Sequence, residues 1–133
     1  MMIGGKIYPL HLAISRNWKV HYFTSDMADQ PDHRAEEAAF LSDMPAVLGD
    51  KAMTALDEIR DALGLDYGGV DFGLSADGDL LLFEANATMV IAAPDPDPRW
   101  AYRRKAITSV IDAVVAMIRE RAEGAARANV AEQ

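Results

Sequence analysis

The stretch GGVDFGLSADGDLLLFEAN, from Gly68 to Asn86, decides the fold of this chain. Two apolar runs flank Asp77 and Gly78, and an Asp-Gly pair between such runs is a strong signal for a β-hairpin. A two-residue turn at this pair places Asp71 directly opposite Glu84 on the neighbouring strand. A four-residue turn would make them diagonal neighbours on one face. An odd-length loop or a bulge would separate them.

Alternation of side chains along the two strands predicts one apolar face and one acidic face. The apolar face is expected to lie against helices and holds Val70, Phe72, Leu74, Leu81, Phe83 and Ala85. The acidic face holds Gly69, Asp71, Gly73, Leu80, Leu82, Glu84 and Asn86. We expect the two glycines to leave open space beside the carboxylates.

Asp71, Glu84 and Asn86 form a set of hard oxygen ligands, two carboxylates and one amide. Such a set suits Mg²⁺, which usually takes one or two carboxylates together with water and substrate phosphates. Acidic residues on an exposed strand are also common as plain solvated surface. A metal site and a solvated polar face are therefore both open interpretations of these residues.

Asp71, followed thirteen residues later by Glu84 in a Glu-x-Asn motif, resembles the magnesium-binding end of the ATP-grasp family. The segment from Phe83 to Met89 is most similar to a branch often fused to tetratricopeptide repeats, and the resemblance covers roughly residues 5 to 120. It implies an α+β fold, an antiparallel sheet with helices packed on one face. It also implies that Asp71, Glu84 and Asn86 hold Mg²⁺ (or Mn²⁺) that bridges the phosphates of ATP.

The resemblance further implies the metal- and ATP-binding half of an ADP-forming carboxylate–amine ligase, in which ATP phosphorylates a small carboxylate and an amine attacks the acyl phosphate. Enzymes of this family close two lobes on ATP, and this chain aligns with the part that follows the hinge. We therefore expect no activity without a partner lobe, and no residue is predicted to be catalytic. The alternative is a non-catalytic remnant or protein-binding module. Either case favours a partner subunit or a homo-oligomer, such as a dimer.

Two cations are candidates for nucleotide binding. Strands are predicted for Ile7 to Ile14 and Trp18 to Phe23, and Lys19 in the second could reach a phosphate, although a solvated lysine is the simpler interpretation. Arg34 follows a polar, turn-rich loop that lies where the family has a phosphate-covering loop, which often supplies a lysine. This loop has none. His11 and His21 fall on opposite faces of the predicted strand pair and are interpreted as packing residues.

Helical spacing of apolar residues predicts three helices, at Pro31 to Met44, Pro45 to Leu63 and Arg99 to Glu123. Gly64 and Gly124 are expected to end the second and third. Asp32 is expected to cap the first, whose Glu36 and Glu37 are interpreted as a solvated face. One partial domain thus spans residues 1–124, with a proline-rich spacer at 94–98 and a frayed tail at 125–133.

A basic cluster opens the third predicted helix and comprises Arg99, Arg103, Arg104 and Lys105. Positive charge is unfavourable at a helix N-terminus. The cluster indicates either a contact with phosphate or an acidic partner, or a group of solvated cations.

The composition limits the classes of function. The chain has 133 residues, enough for one core, and a net charge of −8. This acidity argues against nucleic acid or an anionic membrane as a partner. It also means that bound ATP would need magnesium. No cysteine is present, which excludes thiol chemistry and disulfide bonds. No apolar run has the length of a membrane span and no signal-peptide pattern is visible, so we expect a cytoplasmic location.

Overall fold

The computed structural model describes residues 1–15 and 25–131, with side chains as far as residue 127. In chain order its elements are β1 (Met2–Ile3), β2 (Lys6–Ile7), α1 (Pro31–Ser42), α2 (Met44–Leu63), β3 (Tyr67–Leu74), β4 (Leu80–Asn86) and α3 (Arg104–Ala131). Two short 3-10 helices, Asp26–Ala28 and Pro98–Arg103, precede α1 and α3.

The strands form one antiparallel sheet in the order β2-β1-β3-β4, which confirms the predicted α+β class. The prediction of a strand from Ile7 to Ile14 is wrong, because β2 ends at Ile7 and residues 8–15 contain no strand. Pro9 follows closely after this end and has no N–H group to donate to a neighbouring strand. The predicted strand from Trp18 to Phe23 lies outside the described residues.

Helices contact the sheet from both sides, so the prediction that they cover one face is wrong. Met2 and Ile3 are adjacent in β1 and therefore point to opposite faces. Ile3 packs in a core cluster with Val110 of α3. Met2 lines a small cavity together with Leu56 of α2. This arrangement encloses the short strands near the start of the chain and leaves the far end of the β3–β4 hairpin exposed.

Local sequence explains the ends of α1 and α2. Asp32 lies in the first turn of α1 rather than at its cap, since Gln30 holds the capping position without a side-chain hydrogen bond. Asp43 caps α2, and its Oδ1 accepts a hydrogen bond of 3.2 Å from the N–H of Ala46. Gly49 breaks this helix at φ 77° and ψ 167°. Gly64 ends it in the left-handed conformation, as predicted.

Helix α3 differs most from its predicted bounds. A 3-10 helix occupies residues 98–103, and the α-helix begins only at Arg104. It then continues through Gly124 to Ala131, so the predicted end at Gly124 is wrong and the tail beyond it is helical to that point. A glycine among alanines costs a helix only about 1 kcal/mol. No helix within residues 1–15 and 25–131 is long and apolar enough to cross a membrane.

Candidate metal and nucleotide site

Asp71 of β3 lies directly opposite Glu84 of β4, which confirms the predicted pairing. The turn is longer than predicted. Ser75 donates its N–H to the carbonyl of Asp79 at 2.9 Å, which leaves a three-residue loop between them. Such a loop alone would place Asp71 opposite Phe83. A β-bulge between the Asp71 and Phe72 pairings adds one residue to β4 and restores the facing carboxylates.

Asn86 is held beside this pair by its own hydrogen bonds. Its Nδ2 donates to Glu84 Oε1 at 3.2 Å. Its Oδ1 accepts from the N–H of Thr88 at 3.0 Å and from the Thr88 hydroxyl at 2.8 Å. The structure therefore brings all three predicted ligand residues together at the base of the hairpin. Asp71 and Glu84 are both exposed, so their oxygens are accessible from solvent.

The bulge changes which side chains accompany the carboxylates. Leu81 pairs with Gly73 and therefore shares the face of Asp71, whereas the prediction placed it on the apolar face. A Cβ atom on Gly73 would lie 2.9 Å from Cζ of Phe83, so the Phe83 ring covers Gly73 on that same face. The predicted division into an acidic and an apolar face is wrong toward the tip of the hairpin.

The two glycines do not leave open space. Phe83 occupies the space above Gly73, and a Cβ atom on Gly69 would lie 2.6 Å from Cγ of Met89. Here glycine permits neighbouring side chains to lie flat on β3. Phe83 is 66% exposed although it is aromatic. Sequence reasoning missed this residue because alternation without a bulge assigned it to the opposite face.

Arg34, one of the two candidate phosphate-binding cations, is engaged elsewhere in the structure. Nη1 of Arg34 donates to the carbonyl of Met27 at 2.9 Å and to that of Ala28 at 2.8 Å. Its guanidinium thus holds the 3-10 helix that precedes α1. Lys19 lies outside the described residues.

Asp71 lies near two basic groups on the first segment of the chain. Burial lowers the pKa of the Met1 ammonium from 8.0 to about 6, and the Asp71 charge partly opposes this shift. Burial and then the Arg103 charge lower the pKa of His11, again opposed by Asp71. These shifts favour the neutral forms of both bases near neutral pH.

The environment of Glu37 differs from its prediction. It was expected on a solvated face, yet its side chain is fully buried at 0% exposure. Its Oε1 accepts from the N–H of Leu12 at 3.2 Å and lies 3.4 Å from Nε of Arg103, and its Oε2 accepts from the Tyr102 hydroxyl. The sequence contains an indication of this burial, because Glu37 lies three residues before the apolar Phe40 and therefore on the same face of α1.

The donor set can be compared with the needs of a metal ion. Within the parts of the chain that the structure describes, no three His, Cys, Asp or Glu residues form a group that could hold a metal. Asp71 and Glu84 supply two accessible carboxylates, which fits Mg²⁺ because that ion keeps several waters or phosphate oxygens. The amide oxygen of Asn86 already accepts two hydrogen bonds from Thr88, so it joins the ion only if one of them is released. The set does not fit a structural zinc site, which needs His or Cys ligands.

Comparisons with protein-family models, with curated proteins and with solved structures found no match to this chain.

Proposed function

We propose that this chain is the metal- and ATP-binding half of an ATP-grasp-type, ADP-forming carboxylate–amine ligase. The observation that carries the proposal is the direct pairing of Asp71 with Glu84, with Asn86 hydrogen-bonded to Glu84. Two like charges facing each other across strands are destabilising unless a cation compensates them. A turn and a bulge that jointly produce this pairing are therefore best explained by a bound divalent ion.

In this proposal Asp71, Glu84 and Asn86 hold Mg²⁺, with Mn²⁺ as a substitute. The ion, when bound, neutralises and aligns the phosphates of ATP. Phe83 adds a second element, because its exposed ring lies on the same face as Asp71 and offers a flat apolar surface on which a nucleobase can stack. Arg34 is bound to backbone carbonyls before α1, so in this proposal a partner lobe contributes the remaining phosphate contacts and the carboxylate site.

Mg²⁺ and Mg-ATP are expected to bind the purified chain weakly but saturably, and Asp71→Asn/Glu84→Gln is expected to weaken both by about tenfold or more. The reason is that the variant removes both charged ligands. Titration calorimetry measures the affinities. Without metal the variant should melt at the same temperature as the wild type or higher, since a like-charge repulsion is removed.

The matched control is Asp77→Asn/Glu120→Gln, which removes the same two negative charges from exposed positions away from the site. It should bind Mg²⁺ like the wild type. Equal losses in both double variants would show that only the net charge attracts the ion. Absence of any saturable binding to the wild type would remove the metal site from the proposal.

The exposed edge of the hairpin supports the alternative function, a protein-binding module that self-associates. Strand β4 is an outer strand of the sheet and carries Leu81, Leu82 and Phe83 at 62%, 42% and 66% exposure. Native proteins normally protect such an edge with charges or prolines, because unpaired backbone groups recruit another strand. Pairing of β4 with β4 of a second copy would extend the sheet and cover these side chains.

Leu81→Lys is expected to shift the chain toward monomer if β4 forms the contact, because a buried ammonium at a strand–strand interface is costly. Analytical ultracentrifugation over a range of concentrations measures the shift. Ile118→Lys is the control, since Ile118 is similarly exposed at 57% but lies on α3. A monomeric wild type at all concentrations, or equal effects of both variants, would contradict pairing through β4.

A further inference from the structure

The basic cluster at the start of α3 is explained by internal contacts except at one position. Arg99 Nη2 lies 2.8 Å from Asp97 Oδ2. Arg103 lies against Glu37, and Arg104 donates from Nη2 to the carbonyl of Pro96 at 2.7 Å. Lys105 makes no hydrogen bond or ion pair within residues 1–15 and 25–131. Its ammonium is thus the member of the cluster that remains for an external ligand.

Lys105 lines a cleft of about 500 Å³ between α1 and the beginning of α3. This volume is in the range of small-molecule sites. The α1 wall contains Ala38, Leu41 and Ser42, and Tyr8 and Pro9 form part of the lining between the helices. The cleft does not contain Asp71, Glu84 or Asn86, so it is separate from the proposed metal site.

The α3 wall contains Lys105, Ala106 and Ser109. Lys105 and Ser109 are four residues apart and therefore share a helix face. The Ser109 and Ser42 hydroxyls form no side-chain hydrogen bond with any other described residue. One ammonium and two serine hydroxyls, set among alanine, leucine, proline and tyrosine side chains, provide for a single negative charge and an apolar body.

We propose that this cleft binds an apolar monocarboxylate, with its carboxylate at Lys105 and the serine hydroxyls and its hydrocarbon part against Ala38, Leu41 and Ala106. A nucleotide phosphate is a poorer fit, because multiple negative charges need more than one cation. The inference does not depend on the proposed metal site.

Octanoate is the probe, titrated by calorimetry into the full chain in the presence of EDTA, which removes divalent ions. We expect saturable binding, with octanamide at least about tenfold weaker because it has no charge. Lys105→Met keeps an unbranched side chain of nearly the same length without its charge, and it should weaken octanoate by a similar factor while leaving octanamide unchanged. Lys6→Met is the control, since Lys6 is an exposed lysine outside the cleft.

Ser109→Phe provides an independent test, because a large side chain at this exposed position would fill the cleft without altering the core. Octanoate binding should then be lost while the melting temperature stays close to that of the wild type. Equal affinity for octanoate and octanamide, unchanged binding in Lys105→Met, or no saturable binding to the wild type would each overturn the proposal. Since EDTA is present throughout, failure here leaves the Mg²⁺ result unaffected.

Discussion

Glu37→Gln is expected to lower the free energy of unfolding by about 3–5 kcal/mol, because it removes the buried counter-charge of Arg103. Glu37 is completely buried, and the Arg103 side chain is only 16% exposed. A guanidinium in such surroundings loses much of its hydration on folding. Its stability in the interior therefore depends on the carboxylate 3.4 Å away.

The expected loss is large also because Glu37 joins three parts of the chain. Its carboxylate accepts the N–H of Leu12 from the first segment and the hydroxyl of Tyr102 from the 3-10 helix before α3. Glutamine can replace only some of these contacts, since its amide nitrogen cannot accept a hydrogen bond. The variant should loosen the attachment of both segments to α1.

Urea unfolding followed by circular dichroism measures this effect. Glu36→Gln is the control, because Glu36 is the exposed neighbour and its change should stay within about 0.5 kcal/mol. Arg103→Met combined with Glu37→Gln should be less destabilising than the sum of the single changes, as expected for two groups in contact. A Glu37→Gln variant within 1 kcal/mol of the wild type would show that the pair does not hold these segments.

The hairpin shows how far the sequence predicts local structure. Apolar runs around Asp77 and Gly78 identified the two strands, and the facing of Asp71 and Glu84 was predicted correctly. The predicted two-residue turn was wrong, because the observed loop has three residues. A β-bulge compensates for this odd length and brings Asp71 opposite Glu84. Neither feature could be derived from the residues, because a bulge depends on how the strands pack and twist.

The bulge also explains why the surroundings of the site were harder to predict than its ligands. A one-residue shift transfers side chains to the opposite face, and this happened to Leu81 and Phe83. The surroundings of the charged residues Arg34 and Glu37 were hard to predict for another reason. Arg34 binds backbone carbonyls of the 3-10 helix just before α1, a local contact that its charge alone does not indicate. Glu37 is buried by contacts with Leu12 and Tyr102, which are distant in sequence.

Leu56→Ala is expected to destabilise the chain by about 2–5 kcal/mol, the second large effect. Leu56 of α2 is 1% exposed and lies behind the strand that carries Asp71. It already borders a cavity of about 50 Å³, shared with Val70 and Phe72 of β3. Removing its side chain enlarges this cavity. Helix α2, which is interrupted at Gly49, is not expected to move inward far enough to fill it.

Thermal unfolding should show this loss as a decrease of roughly 10 °C or more in melting temperature. Leu81→Ala is the matched control, because the same atoms are removed from a side chain that is 62% exposed, and its melting temperature should change little. Leu56 does not belong to the set of Asp71, Glu84 and Asn86. Below the melting transition, Leu56→Ala should therefore keep the Mg²⁺ affinity of the wild type. If the Mg²⁺ affinity of Leu56→Ala falls together with its stability, the packing of α2 against β3 positions Asp71. If the free energy of unfolding falls by less than 1 kcal/mol, α2 moves inward and closes the cavity.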